Sequence, residues 1–221
     1  MLMNTWSSQF STLGPAVLPP FSHTRILMMP VCLDDLSGTL PPALYAWLPL
    51  MRSMRAAGPC RSGTAYLTID EREVAEGGTH RRPGLHVDGW ADDGGGSWGG
   101  GGWGGREAGM LVVASHTGSV VYPQRFEGVP RQYGDCEHLR EQCRSAPPLR
   151  AGVVYRLQGM TVHEAIPVHT DARRQFVRLS MPSRAGWPCS NTPNPLGVPP
   201  SGPILPARLG AFTQYDPQRR T

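Results

Sequence analysis

The chain has 221 residues, enough for one domain with a sizeable core, and its 39% hydrophobic content lies below the usual globular range. Gly 27 and Pro 23 point to many turns and exclude a long-helix architecture. Lys+Arg exceeds Asp+Glu by 21 − 17 = +4, a mild excess that suits an anionic ligand, while the lack of a lysine-rich run argues against a nucleic-acid interface.

Residues 1–24 are polar, with scattered apolar side chains (Trp6, Phe10, Leu13, Phe21), and read as a wrapping or loose segment. Residues 25–33 read as a buried strand with an edge or bulge at Pro30. From Leu40 to Met54 the apolar residues Leu44, Trp47, Leu48 and Met51 fall at helical spacing, Pro41 and Pro42 suit a first turn, and Gly58 stops the run. Pro49 inside it predicts a kink or break. Residues 64–74 alternate as a strand, and a Gly-Gly turn at 77–78 leads through His80-Arg81-Arg82 to Leu85-His86-Val87-Asp88.

A glycine-dense stretch with Trp98 and Trp103 runs from 92 to 105. Ordering so many glycines costs too much entropy for a packed element, which leaves a solvated insertion or a lid beside the site. Residues 109–121 are β-rich with a turn near Thr117-Gly118. Residues 123–149 form a polar excursion with a short helix around 136–144, and 152–159 are a strand and turn. A strand is expected to end at His163, with a new one starting near Arg174. From 182 to 221 the Pro, Gly, Ser and Asn content predicts extended coil.

Five cysteines at irregular spacing, with no CxxC pair, read as free thiols of an intracellular protein. Cys136, His138 and Cys143 cluster, but a structural zinc lacks its second pair there. No apolar run approaches the ~20 residues of a membrane span, and the N-terminus lacks the pattern of a signal peptide.

The chemistry lies in His86-x-Asp88 and the distant His163. Residues two apart on a strand point the same way, so His86 and Asp88 can share a face and His163 can close the set from a neighbouring strand. Two imidazoles and one carboxylate suit a non-haem Fe(II) with open positions. On the strand after His163, Arg174, Phe176, Arg178 and Ser180 alternate onto one face. A guanidinium fork there can hold a carboxylate by two parallel hydrogen bonds, and a serine hydroxyl can add a third. Each element also has a plain structural reading: a hydrogen-bonded His-Asp pair, or a solvated arginine face. His116 is a substitute ligand should His86 not serve, and His169 reads as solvent-facing.

With H-x-D, a distal His and Arg-x-Ser in this order, the chain from about 64 to 182 resembles the Fe(II)/2-oxoglutarate-dependent oxygenases. The resemblance implies one 1–221 domain built as a double-stranded β-helix (a jelly-roll or cupin-like, mainly β fold) backed by one or two N-terminal helices. It implies His86, Asp88 and His163 as catalytic iron ligands, with 2-oxoglutarate and O2 as co-substrates. Arg178, 178 − 163 = 15 residues after the distal His, would then hold the distal carboxylate with Ser180 and Tyr155. Arg174, 174 − 163 = 11 residues after it, is the rival anchor. The substrate would be a small polar metabolite, with Trp90, Trp98 and Tyr66 as guesses for its contacts. A carboxylate at position 88 argues against halogenation. Two alternatives stand beside this: a cupin-like metalloenzyme that does not use 2-oxoglutarate, and a non-enzymatic β-sandwich binding module.

Overall fold

A computed structural model describes residues 5–88, 109–131, 134–181 and 186–206. The strands are β1 (Thr5–Ser7), β2 (Phe10–Pro15), β3 (Arg25–Cys32), β4 (Thr64–Val74), β5 (Met110–Ala114), β6 (Ser119–Val121), β7 (Arg125–Glu127), β8 (Val153–Leu157), β9 (His163–Ala165), β10 (Ala172–Ser180), β11 (Trp187–Pro188) and β12 (Ile204–Leu205). Two helices, α1 (Leu36–Thr39) and α2 (Leu48–Ala57), lie between β3 and β4. The fold is mainly β, and its largest element is an antiparallel sheet of six strands in the order β2-β8-β5-β10-β4-β3.

Period-two alternation divides that sheet into two unlike faces. Leu67, Ile69, Leu111, Val113, Val177 and Leu179 turn outward and pack on Trp47, Leu50, Met51 and Met54 of the helical layer. Met110, Val112, Tyr155 and Leu157 turn inward and meet Val121 of β6. The facing layer is small. β6 pairs with β9, and single bridges extend it from Val120 to Pro148 and from His163 through His86 to Asp135. A cavity of about 380 Å³ separates the two layers.

The expected helix over 40–54 is divided. A 3-10 turn covers Pro42–Trp47, and α2 starts at Leu48 with Pro49 in its first turn. Pro49 therefore marks a helix start, the position where its missing N–H costs nothing. Gly58 caps the C-terminus as expected, donating to Met54 and Arg55 carbonyls. The polar first segment is more structured than its composition suggests: β2 forms one edge of the large sheet against β8, and β1 pairs with β7. β3 carries its irregularity between Ile26 and Met29, ahead of Pro30, with Met28 at φ +50°. The strand expected to end at His163 instead begins there.

Residues 186–206 remain mostly coil but are fastened to β3. Trp187 Nε1 donates to the Met28 carbonyl at 2.8 Å, Thr192 exchanges two hydrogen bonds with Leu27, and Asn194 Nδ2 reaches the carbonyls of Pro30 and Thr39. Among the described residues no helix is long and apolar enough to cross a membrane.

Gly134 sits at φ +73° directly beneath the His86–Asp88 segment, and Val87 N donates to its carbonyl. A Cβ there would lie 2.1 Å from the Val87 carbonyl oxygen, so neither the backbone angle nor the space accepts a side chain. Gly134→Ala is expected to lower the unfolding free energy by about 1–3 kcal/mol, the usual range for enforced backbone strain. Urea unfolding checks this; an unchanged midpoint would contradict the tight approach.

Candidate metal and anion site

His86, Asp88 and His163 converge at one end of the cavity, with one ligand atom from each lying within 4.8 Å of the others. Among the described residues this is the one group of three His, Cys, Asp or Glu side chains close enough to share an ion. Strand pairing brings them together: His86 N donates to His163 O at 3.0 Å and His163 N returns the bond to His86 O at 2.9 Å. The two rings lie 4.4 Å apart.

Each imidazole is oriented the same way. His86 Nδ1 lies 2.7 Å from the Gly84 carbonyl and His163 Nδ1 lies 2.8 Å from the Thr161 carbonyl, two residues back in each case. A carbonyl can only accept, so Nδ1 carries the proton and Nε2 keeps its lone pair. Locking the remote ring nitrogen in this way is the usual support of a metal-ligating histidine. Burial, reinforced by the charge of His163, pushes His86 down to about 3, so its lone pair is available at neutral pH.

Asp88 is held by Arg178, whose Nη1 donates to Oδ2 at 3.1 Å, and His163 Nε2 lies 3.9 Å from the same oxygen. Burial alone would raise the Asp88 carboxyl, but neighbouring His163 and the charge of Arg178 outweigh it and hold the group below its ordinary value. Behind the small layer, Arg140 ties the two ligand-bearing segments together. Its Nη2 donates to Glu137 and Glu164 at 2.9 Å each. Glu137 accepts from Leu85 N, one residue before His86, and Glu164 follows His163.

Arg174 and Arg178 both reach the cavity from the inner face of β10, as their alternation predicts. Their surroundings differ. Arg178 spends Nη1 on Asp88 and Nη2 on the Met28 sulfur at 3.4 Å, while its Nε has no partner. Arg174 is 1% exposed and lies flat against Gly118, where a Cβ would approach its guanidinium carbon to 2.9 Å. Its Nε makes one long contact of 3.4 Å to the His116 carbonyl, and its buried Nη1 has no hydrogen-bond partner. An unpartnered buried guanidinium nitrogen is costly and marks the place of an absent acceptor.

The other expected residues are distributed unevenly. Tyr155 lines the cavity, and its hydroxyl accepts from Arg150 N at 3.0 Å, which leaves its own proton to donate. Ser180 is buried, and its hydroxyl faces the Met28 sulfur at 3.9 Å instead of the cavity. Tyr66 does not line the cavity; its hydroxyl is engaged by Ser201. His116 lines the cavity but is not part of the three-residue group. Trp90, Trp98, Trp103 and the 92–105 insertion lie outside the described residues.

One buried constellation was not foreseen from the sequence. Asp70 on β4 is fully buried and receives two hydrogen bonds from Arg72 and one from Arg81, with His80 Nε2 at 3.4 Å. Burial would raise its carboxyl, yet the His80 contact and the charges of Arg81 and Arg72 hold it well below the usual range. The signal was His80-Arg81-Arg82 opposite a fully buried carboxylate of β4, visible only once the tertiary contacts are known.

No protein-family model and no curated protein matches the chain. Among solved structures, the crystal structure of AviO1 from Streptomyces viridochromogenes Tue57 aligns over 86% of this chain and 94% of that one, at 15% identity and a TM-score of 0.41. A likeness of that size carries no argument about fold or activity.

His80 and His86 make stability depend on pH. Burial holds them down to about 4 and about 3, whereas in the unfolded chain each takes up a proton near the ordinary value of 6.5. The unfolded state therefore binds more protons below that value, and stability falls on acidification from pH 6.5 towards 4. The loss is on the order of 1 kcal/mol per pH unit for each histidine. The metal-free protein is expected to lose thermal midpoint steadily between about pH 7 and 5, with His80→Gln removing about half of the slope. A flat midpoint over that range would show that the two rings are not held neutral.

Proposed function

We propose that this chain is a non-haem Fe(II)/2-oxoglutarate-dependent oxygenase that oxidises a C–H bond of a small polar molecule. In this reading the two β layers are the walls of a double-stranded β-helix, with the reaction chamber between them. The observation that carries the proposal is the presence, in one cavity, of the His86–Asp88–His163 group and of Arg174, whose buried Nη1 meets no acceptor among the described residues.

The donor set fits the ion. Two imidazoles oriented through Nδ1, with Nε2 towards the site, and one ionised carboxylate make the two-His, one-carboxylate face that Fe(II) oxygenases use, with other positions left open. An Fe(II) held there supplies the oxidising chemistry, in which 2-oxoglutarate, O2 and R–H give succinate, carbon dioxide and R–OH.

The chain's own groups supply position and charge. Arg178 fixes the carboxylate plane of Asp88, so its role is to orient a ligand. Arg174 then takes the distal carboxylate of the co-substrate, since its buried Nη1 donates to no described residue, and Tyr155 can add its hydroxyl proton from β8. Of the two arginines that the sequence left open, the anchor is thus the one nearer His163 along the chain. Inward-facing Met110, Val112 and Leu157 keep that wall apolar, which strengthens every charge interaction inside.

The test is anaerobic titration of Fe(II)-loaded protein with 2-oxoglutarate, reading the weak visible charge-transfer band of a chelated oxo acid. Losing a charge-assisted hydrogen-bond pair costs about 1.5–3 kcal/mol, so Arg174→Gln should weaken co-substrate binding about 10- to 100-fold. Arg178→Gln should chiefly weaken iron binding. A band that depends on Arg178 and not on Arg174 would return the anchor to Arg178. Iron binding without any band would favour a cupin-like metalloenzyme. Iron binding unaffected by Asp88→Ala would overturn the metal site.

A further inference from the structure

The charges lining the cavity do not balance. Among the described residues six arginines line it, Arg72, Arg81, Arg82, Arg150, Arg174 and Arg178, with one carboxylate, Asp88. Three of these charges bear directly on the proposed site. Arg178 is met by Asp88. Arg72 is met by Asp70, which it grips through Nε at 3.2 Å and Nη2 at 2.6 Å in a bidentate pair. Arg174 is met by the distal carboxylate of the co-substrate, a counterpart that rests on the proposed oxygenase function.

Arg81 is the surplus that is best placed. Its guanidinium carbon lies 4.8 Å over the centre of the Phe176 ring, and Nη1 donates to Asp70 Oδ2 at 2.9 Å. Ring stacking and one hydrogen bond fix the plane of the fork. Asp70 is shared: Arg72 holds both of its oxygens, Arg81 makes a third contact and Arg25 lies 3.6 Å away, so one carboxylate charge does not neutralise all three arginines. Among the described residues Asp70 is the only acceptor of an Arg81 hydrogen bond, so Nε and Nη2 remain to donate. Phe176 lies between Arg174 and Arg178 on β10, which puts the Arg81 fork above the middle of the site. The side chain is 17% exposed, as a group at the inner edge of an entrance would be. His80 at this end is held neutral by burial and adds no further positive charge.

We propose that Arg81, braced by Asp70 and Phe176, anchors an oxyanion group of the molecule to be oxidised, so that the substrate is a carboxylate or phosphate compound. The co-substrate and the substrate then use separate arginines, Arg174 and Arg81, on the two sides of Phe176. The proposal requires a second anion site that is open while the first is filled.

Calorimetric titration of the Fe(II)-loaded protein with inorganic phosphate, and separately with acetate, at saturating 2-oxoglutarate and without it, tests this. The expected result is one anion bound at saturating 2-oxoglutarate, and no fewer without it. Arg81→Gln should weaken that binding tenfold or more while leaving 2-oxoglutarate affinity within threefold; Arg81→Lys, which keeps the charge, should fall between; Arg174→Gln should do the reverse of Arg81→Gln. The stronger of the two probes tells a phosphate substrate from a carboxylate one. Competition of both probes with 2-oxoglutarate in the wild type would mean a single anion site and overturn the proposal, with no variant needed. Failure of both probes to bind while 2-oxoglutarate binds normally would overturn it too and leave the oxygenase reading standing. Arg81-dependent anion binding in a protein that does not bind 2-oxoglutarate would uphold the anion site and remove the oxygenase reading.

Discussion

A guanidinium taken out of water must be met by an acceptor, and this fold takes two of them out of water on one strand. β10 alternates Val177 and Leu179 towards the helical layer with Arg174, Phe176 and Arg178 towards the cavity. Desolvation of an unpaired ion costs several kcal/mol even after relaxation, so such an arrangement is retained only where something negative completes it. Arg178 is completed from within the chain by Asp88. Arg174 is not, and Gly118 lets it lie where no described acceptor reaches Nη1. The packing of the sheet thus leaves Arg174 Nη1 without an acceptor among the described residues.

The same constraint explains why the two arginines are not equivalent. Burial lowers both, to about 10, and both remain cations at neutral pH. The difference lies in partners. One charge has been spent on orienting a candidate metal ligand, and the other is still available. Asp70 shows the opposite balance: a buried carboxylate surrounded by more cations than it can neutralise, which passes the excess on to the cavity through Arg81.

Much of this was legible in the residues, for physical reasons. The strands at 64–74 and near 174 announce themselves by period-two alternation, and the convergence of His86, Asp88 and His163 follows from pointing residues two apart to one face. What was missed depends on tertiary partners. Residues 5–15 carry too few apolar side chains to predict a strand, and pair because β8 offers a free edge. Ser180, one step beyond the cavity along β10, looked like an anchor by spacing alone; the sulfur of Met28 from the irregular part of β3 takes its hydroxyl. Position 163 begins its strand because Gln158–Thr161 turn first, a turn closed by one backbone hydrogen bond; Gly159 signals that turn but not that the next strand starts as late as His163. Asp70 read as one polar residue in an alternating strand because its partner Arg81 comes from 11 residues on, across a turn.

The fastening of residues 186–206 onto β3 has a consequence for how the protein comes into being. Trp187 and Met28 are 159 positions apart, Asn194 and Pro30 are 164, and at the opposite end Trp6 and Met160 are 154. Chains whose contacts close such long loops fold slowly, because the entropy of closure is spent before the contacts reward it. On a ribosome, the carbonyls of Met28 and Pro30 would wait for a partner until nearly the whole described chain had emerged. The irregular β3 segment that presses Met28 against Arg178 would therefore be among the last pieces to set. Assembly of the cavity is in that sense a late event of biosynthesis, and the nascent chain would leave a strand edge open for as long as that takes.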